Sequence, residues 1–288
     1  MTSARVTVVI ATRDRWGELT HTLRRLRALP ERPVIIVVDN ASSDGTAEAV
    51  RTGFPEVCLI ELPHNRGAAA RNIGVREAST PYVAFSDDDS WWEPGALSTA
   101  VDLFEEYPRL GLIAAKPLVG DERVPDPIAR SMAESPLPAD ERLPGPPVLG
   151  FLGCAAIVRR TAFLEAGGYS ELLFFVGEER LLAYDLAAAG WGLSYVDSVV
   201  AVHKPSPIRE SPERRQGLEQ RNELLTAWLR RPVPVALART FALAARTPRS
   251  ASARTAWPSA LIRIPVALHR RRRLPTGVER LARLLETA

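Results

Sequence analysis

The sequence predicts an α/β protein built around a doubly wound, mainly parallel sheet. Three observations carry this. Apolar runs of strand length alternate with segments of helical period through the first 116 residues. The strand-like runs are nearly continuous in apolar residues, as in sheets covered on both faces. Polar side chains gather where each run ends, the edge at which open parallel sheets bind ligands.

Residues 6–11 form the first strand, and Leu19, Leu23 and Leu26 supply the core stripe of the helix behind it. Residues 34–38 are the second strand, followed by a short helix over 47–51 behind the Asp44-Gly45 turn. Residues 57–60 are the third strand and 66–78 the next helix. Residues 82–86 are the fourth strand. Pro94 stands where a first helical turn tolerates proline, and Leu97, Val101 and Phe104 stripe that helix. This βαβα rhythm implies parallel pairing. Between Gly120 and Pro147 seven prolines fall among polar residues, which predicts a long loop or lid. Order resumes over 148–158, with a turn at Gly167-Gly168 and a helix through Leu181, Leu182 and Leu186. Strands at 193–196 and 199–202 and a helix over 210–230 follow, with no internal repeat.

A chain of 288 residues with 46% hydrophobic composition can bury a full core. The segment from Met1 to Arg5 is short and polar, so no secretory signal is expected. No stretch approaches the length of a spanning helix. Cys58 and Cys154 each lie in an apolar run and read as buried thiols of a reducing, cytoplasmic protein. The net charge of +3 hides an asymmetry: residues 230–288 carry 13 Arg against Glu279 and Glu286, a net of +11, and the rest carries −8. A basic tail suits an anionic surface. Sparse aromatics there disfavour nucleic acid. Trp257, Leu261, Ile262, Ile264 and Val266, interleaved with Arg263 and Arg270, Arg271, Arg272 and Arg273, read either as a peripheral contact with the inner face of the cell membrane or as a packed helical extension.

The fourth strand runs straight into Asp87-Asp88-Asp89. Adjacent carboxylates repel and are costly to desolvate, so they point to a cation. In extended backbone Asp87 and Asp89 share a face, which suits a hard cation such as Mg²⁺ or Mn²⁺. A solvated acidic turn is the alternative. The other strand ends carry Thr12-Arg13-Asp14-Arg15, Asp39-Asn40-Ala41-Ser42-Ser43-Asp44-Gly45-Thr46, and Asn65-Arg66-Gly67 leading to Arg71-Asn72-Ile73-Gly74. Neither G-x-x-x-x-G-K-[ST] nor G-x-G-x-x-G occurs, so glycine amides do not cradle a diphosphate; a carboxylate-held metal is the other route.

These segments, with Gly167-Gly168-Tyr169, Gly177-Glu178-Glu179, Ala189-Gly190-Trp191 and His203, resemble the successive signatures of family 2 glycosyltransferases with the GT-A fold, a Rossmann-like arrangement. The resemblance covers roughly residues 5–230. It implies a glycosyltransferase domain over 1–231, with a nucleotide-sugar half (1–116), a Pro-rich loop (117–147) and an acceptor half (148–231), and a basic helical extension over 232–288. Asp39 would pair with the donor base, with Thr12, Arg13, Asp14, Asn40 and Arg71 around the base or phosphates. Asp87 or Asp88 would hold the ribose or metal-bound water. Asp89, with Asp87, would ligate Mn²⁺ or Mg²⁺, and the late His203 would either complete the metal shell or serve a structural or acceptor-side role. Glu179 stands where the family has an Asp general base, one methylene longer, with Glu178 as fallback. Each has a plainer reading: Asp39 as a turn residue, Arg71 as a surface charge, the Glu pair as an acidic helix start. Trp91 and Trp92 would stack on a sugar or wall the cleft, the wall being preferred. The expected activity is inverting, metal-dependent transfer from a UDP, dTDP or GDP sugar to an acceptor hydroxyl of a glycan or glycolipid. Its rivals are a nucleotidyltransferase and a non-catalytic nucleotide-sugar-binding protein.

Overall fold

The computed structural model describes residues 4–206 and 211–287. Its first half follows the apolar pattern: β1 (Val6–Thr12), α1 (Trp16–Arg27), β2 (Val34–Asp39), α2 (Thr46–Gly53), β3 (Cys58–Glu61), α3 (Arg71–Glu77), β4 (Tyr82–Ser86), β5 (Ser90–Trp92) and α4 (Ala96–Glu106). Then come β6 (Leu110–Val119), β7 (Val124–Pro125), α5 (Pro127–Ala133), β8 (Ala156–Arg159), α6 (Arg160–Ala166), α7 (Glu178–Ala188) and β9 (Gly192–His203). Four helices close the described chain: α8 (Pro212–Arg230), α9 (Val233–Arg246), α10 (Ala251–His269) and α11 (Thr276–Thr287). The expected start of α8 at Glu210 lies outside the described residues.

One sheet runs in the order β3-β2-β1-β4-β8-β6-β9-β5, with β7 added to β6. The β3-β2-β1-β4 half is wholly parallel. Its register sets Thr12 beside Asp39 and Ile10 beside Ser86, so the polar strand ends share one edge. Beyond β4 the sheet turns mixed: β8 is antiparallel to β4 and β6, β9 is parallel to β6, and β5 is antiparallel to β9. Alternate strand residues feed two cores. Val8, Ile10 and Val37 face α1 and α4, whereas Val9, Val38 and Phe85 face α3, α6 and α7.

Several expectations change. The Pro-rich segment is not structureless: β7 and α5 lie inside it, with Pro127 at the first helical turn and the Asp126 carboxylate accepting from Ile128 N at 2.9 Å. The strands expected at 193–196 and 199–202 are one strand, since β9 keeps pairing β6 across an irregularity between Ala115/Val196 and Lys116/Val200. Only the end of 148–158 is strand; Gly153–Ala155 is a 3-10 turn. Pro94 precedes α4, which starts after Gly95 in left-handed conformation (φ 90°). Cys154 is buried but Cys58 is exposed, because β3 is an edge strand paired only with β2. Trp91 and Trp92 are buried in β5 and pack into the core with α1 and α4, where Trp91 meets the His21 ring edge-on at 5.1 Å.

The last helices build on α8. Leu224 packs with Leu243, Ala253, Ala256 and Ala260, and Leu225 and Leu229 pack with Leu173, Leu181 and Ala267. Gly217 lets α10 come close; a Cβ there would lie 2.5 Å from Thr255 Oγ1. Arg231, almost fully buried, donates to Glu279 (2.7 Å) and Glu286 and so ties down α11.

Candidate active site

At the edge shared by β1, β2 and β4, the chain turns immediately after Ser86 rather than staying extended, with Ser90 N donating to Asp87 O at 3.2 Å. The three carboxylates therefore point to three different partners. Asp87 pairs with Arg71, which is buried at the start of α3. Asp88 accepts from Thr12 Oγ1 at 3.1 Å, while its carbonyl accepts from Thr22 Oγ1 at 2.8 Å. Asp89 lies 3.3 Å from His203 Nε2 and accepts from Ser206 N at 3.0 Å. His203 arrives there because β5 pairs antiparallel with β9, setting Ser90 opposite His203. Burial, with the neighbouring Asp87 and Asp89 charges adding to it, pushes the Asp88 carboxyl up to about 7.

The other strand-end residues shape loops. Asp39 is buried and accepts from Ser42 through both its hydroxyl and its N–H (3.3 Å), the turn arrangement that is the plainer of its two readings. Asn40 bridges to the third loop: its Nδ2 donates to Gly67 O (3.1 Å) and its Oδ1 accepts from Arg66 N (2.7 Å). Asp14 accepts from Ser43 N at 2.7 Å, and Arg13 lies half-exposed beside Asp14 at 3.4 Å. Thr12, Arg71, His203 and the acidic triplet thus come together directly, while Arg13, Asp14, Asp39 and Asn40 form the neighbouring rim.

A second acidic centre opens α7. Gly177 (φ 80°) precedes the helix, and Glu178 and Glu179 are its first two residues. Glu178 is buried and its Oε2 has no hydrogen-bond partner. Burial, reinforced by the Glu179 charge, pushes Glu178 up to about 8. Burial raises Glu179 as well, and the Arg71 cation works against that rise. Glu179 Oε1 sits against Gly153, where a Cβ would lie 3.0 Å away. Buried Cys154 feels the charges of Asp87, Asp89, Arg71 and Glu179, which places it beneath both centres. Tyr169 lies under the Arg71 guanidinium at 5.9 Å, and the Arg71 Nε and Tyr169 hydroxyl are also without partners. Buried polar atoms without partners are few in folded proteins, and three of them gather here around Arg71 and Glu178.

Sequence reading missed the residues that hold this centre in place. Phe174 (φ 66°), Val176 (φ 70°) and Gly177 are left-handed in the loop before α7, a conformation that L side chains adopt only when held. Asn222, fully buried on α8, holds it: the two N–H groups of Nδ2 are shared among Leu173 O (2.9 Å), Phe175 O (2.8 Å) and Val176 O (2.6 Å). Arg221 adds a bond to Leu173 O at 2.6 Å and donates to Asn222 Oδ1 at 2.9 Å. Phe174 O accepts from Ala68 N at 2.7 Å, joining this loop to the turn that follows β3. Asn72 pairs twice with the Tyr169 backbone, both bonds 2.8 Å. An Arg-Asn dipeptide inside a polar helix carries no signal that it reaches 48 residues back.

Among the described residues, no three His, Cys, Asp or Glu side chains converge as a ready-made cation cage. Asp89 and His203 do offer two adjacent donors, and Asp88 carries a carboxylate repulsion that a cation would relieve. This suits a divalent ion that completes its shell with ligand oxygens.

The sequence pattern of glycosyl transferase family 2 matches residues 7–167. The N-acetylglucosaminyl-diphospho-decaprenol L-rhamnosyltransferase of Mycobacterium tuberculosis is 30% identical over 234 residues, covering 68% of this chain and 75% of that protein. The pre-mycofactocin glycosyltransferase of the same organism is 30% identical over 204 residues, 69% of this chain and 42% of that protein. Among solved structures, the mannosyltransferase PcManGT of Pyrobaculum calidifontis, in complex with GDP-Man and Mn²⁺, superposes with a TM-score of 0.60 at 20% identity, over 98% of this chain and 79% of that one. TarS of S. aureus in complex with UDP-GlcNAc gives 0.61 at 18% identity, over 96% and 83%.

Proposed function

Because this chain belongs to glycosyl transferase family 2, we propose that it moves a sugar from a nucleoside-diphosphate sugar to an acceptor hydroxyl with inversion at the anomeric carbon. The observation that carries this is the pairing of two carboxylate centres, Asp87-Asp88-Asp89 at the end of β4 and Glu178-Glu179 at the start of α7, with Arg71 electrostatically coupled to both. One centre binds the donor and the other activates the acceptor.

On the donor side, Asp39, Asn40, Thr12, Arg13 and Asp14 line the rim where the nucleoside sits, and Arg71 faces the phosphates. Asp87 and Asp88 take the ribose or metal-bound water. Asp89 and His203 are the residues that would hold Mn²⁺ or Mg²⁺, with Asp87 as a further carboxylate beside them. The cation, when bound, supplies Lewis-acid stabilisation of the departing diphosphate. On the acceptor side, burial and mutual repulsion keep one proton on the Glu178-Glu179 pair near neutral pH. Glu179, which stands at the position of the family's general base, accepts the proton of the attacking hydroxyl, with Glu178 as the fallback. A single displacement from the face opposite the diphosphate inverts the anomeric centre. The similarity to an enzyme whose name gives a decaprenol-linked sugar as substrate supports a glycolipid or glycan acceptor, and hence work at the cytoplasmic face.

The test is calorimetric titration of UDP, dTDP, GDP and CDP, each with Mn²⁺ and then with EDTA. Metal-dependent binding of one diphosphate is the expected outcome and identifies the donor class. A folded protein that binds none of them would remove the donor site.

A further inference from the structure

The last helices turn apolar side chains away from the protein. On α9, Val233, Leu237 and Phe241 recur every four residues and are exposed, Phe241 by 70%. On α10, the face toward α8 is Ala253, Ala256, Ala260 and Ala267. The opposite face carries exposed Leu261, Ile262 and Val266, with Ile262 exposed by 76%. Pro258 and Pro265, seven residues apart, share that outward side. Soluble surfaces seldom keep so many large apolar side chains on adjacent helices without a partner.

The charges around these faces say what the partner is. Arg246, Arg249, Arg254, Arg270, Arg272 and Arg273 are exposed, and among the described residues none pairs with a carboxylate. The only two acids after residue 230, Glu279 and Glu286, are both engaged by Arg231, with Arg283 and Arg239 as second partners. Arg272 reaches only the largely buried Asp185, which Arg230 already engages, so the surface is strongly cationic, and its apolar residues lie on helices rather than in a groove. Guanidinium groups beside exposed Phe, Ile and Leu match lipid phosphates above acyl chains. A polynucleotide would satisfy the arginines and leave Ile262 and Phe241 in water. No helix of the described residues is long and apolar enough to cross a membrane, so the contact lies in the interface.

We propose that the outward faces of α9 and α10, with the arginines at their ends, dock this protein onto an anionic lipid bilayer. This goes beyond the transfer reaction and does not depend on it. The test is flotation of the full chain with vesicles of phosphatidylcholine alone or mixed with phosphatidylglycerol, at low and high salt, alongside sedimentation of the free protein. The expected result is binding to the mixed vesicles that weakens with salt. R270Q/R272Q/R273Q should lower the partition at least about tenfold, given about fivefold per arginine near a charged surface, and F241E/I262E should lower it at least as much by replacing two apolar anchors with charges that an anionic surface repels, with the thermal midpoint unchanged. Absence of flotation with mixed vesicles would overturn the proposal, as would binding that both variants leave intact. A free dimer that F241E/I262E dissociates would reassign the face to a second copy. Single-stranded DNA that displaces the vesicles and binds F241E/I262E normally would reassign the arginines to nucleic acid.

Discussion

Asn222→Ala tests how the second carboxylate centre is held. The substitution removes the donor that serves Leu173 O, Phe175 O and Val176 O; only Leu173 keeps another, from Arg221. Two part-buried carbonyls left without this donor cost up to about 1–3 kcal/mol each. Phe174 and Val176, the two non-glycine left-handed residues of the loop, hold about 1–3 kcal/mol of strain each. The two totals are similar in size, so the loop is expected to relax and release its strain instead of unfolding the domain. Global stability should fall by about 1–2 kcal/mol. The relaxed loop no longer fixes where α7 begins, and a displacement of about 1 Å in a reacting group can cost about a hundredfold in rate. Asn222 touches no strand-end residue, so donor affinity should survive. The assay is steady-state transfer with a defined nucleotide sugar, separating kcat from donor KM, beside thermal unfolding. The expected result is a kcat lowered about a hundredfold with donor KM within about threefold. Asn222→Asp should be at least as damaging, because carboxylate oxygens would then face the carbonyl oxygens. A variant with kcat within about twofold of wild type would refute the clamp and leave the loop to Arg221 and the bond from Ala68 N.

Other outcomes rest on the same geometry. Asp89→Ala should abolish transfer and metal-dependent diphosphate binding together, read by calorimetry. Glu179→Gln should abolish transfer and leave diphosphate binding intact; a near-normal rate would take the base role from Glu179. Gly168→Ala puts a Cβ 2.6 Å from Asn72 Oδ1 at a left-handed position (φ 71°), and chemical denaturation should show a loss of about 2–4 kcal/mol. Glu178 is raised from 4.5 to about 8, so the folded chain holds a proton that the unfolded chain has released. That contribution to stability is complete below pH 4.5 and is lost as pH rises through 8. Thermal midpoints should therefore fall over that range in wild type, and Glu178→Gln should flatten the decline; parallel profiles would contradict it.

Much of the fold was legible because it is written locally. The four parallel strands are runs of β-branched and apolar residues that a sheet buried on both faces requires, and short helical crossovers join them. The register that brings Thr12 beside Asp39 then collects the polar ends at one edge. Signals failed where a residue's meaning depends on distant partners. Cys58 reads as core until β3 is known to be an edge. The Asp197-Ser198 interruption reads as a strand end, yet β6 carries β9 across it. The prolines of 120–147 read as breakers, but one of them starts a helix.

The candidate site divides in the same way. Sequence alone determined which acidic and basic side chains stand at strand ends, because those residues directly adjoin the apolar runs that make the strands. It determined equally that the last 59 residues carry a large positive charge. Only the tertiary structure decided which of these groups meet. Asp87 turns to Arg71 and Asp89 to His203, since the chain bends after Ser86 and β5 pairs with β9 across more than a hundred residues. It alone decided that Asn222 holds the loop in front of Glu178, and that Phe241 and Ile262 point outward while the alanines of α10 point in. Composition and spacing encode propensities along the chain; contacts between segments far apart in sequence exist only after the cores have closed.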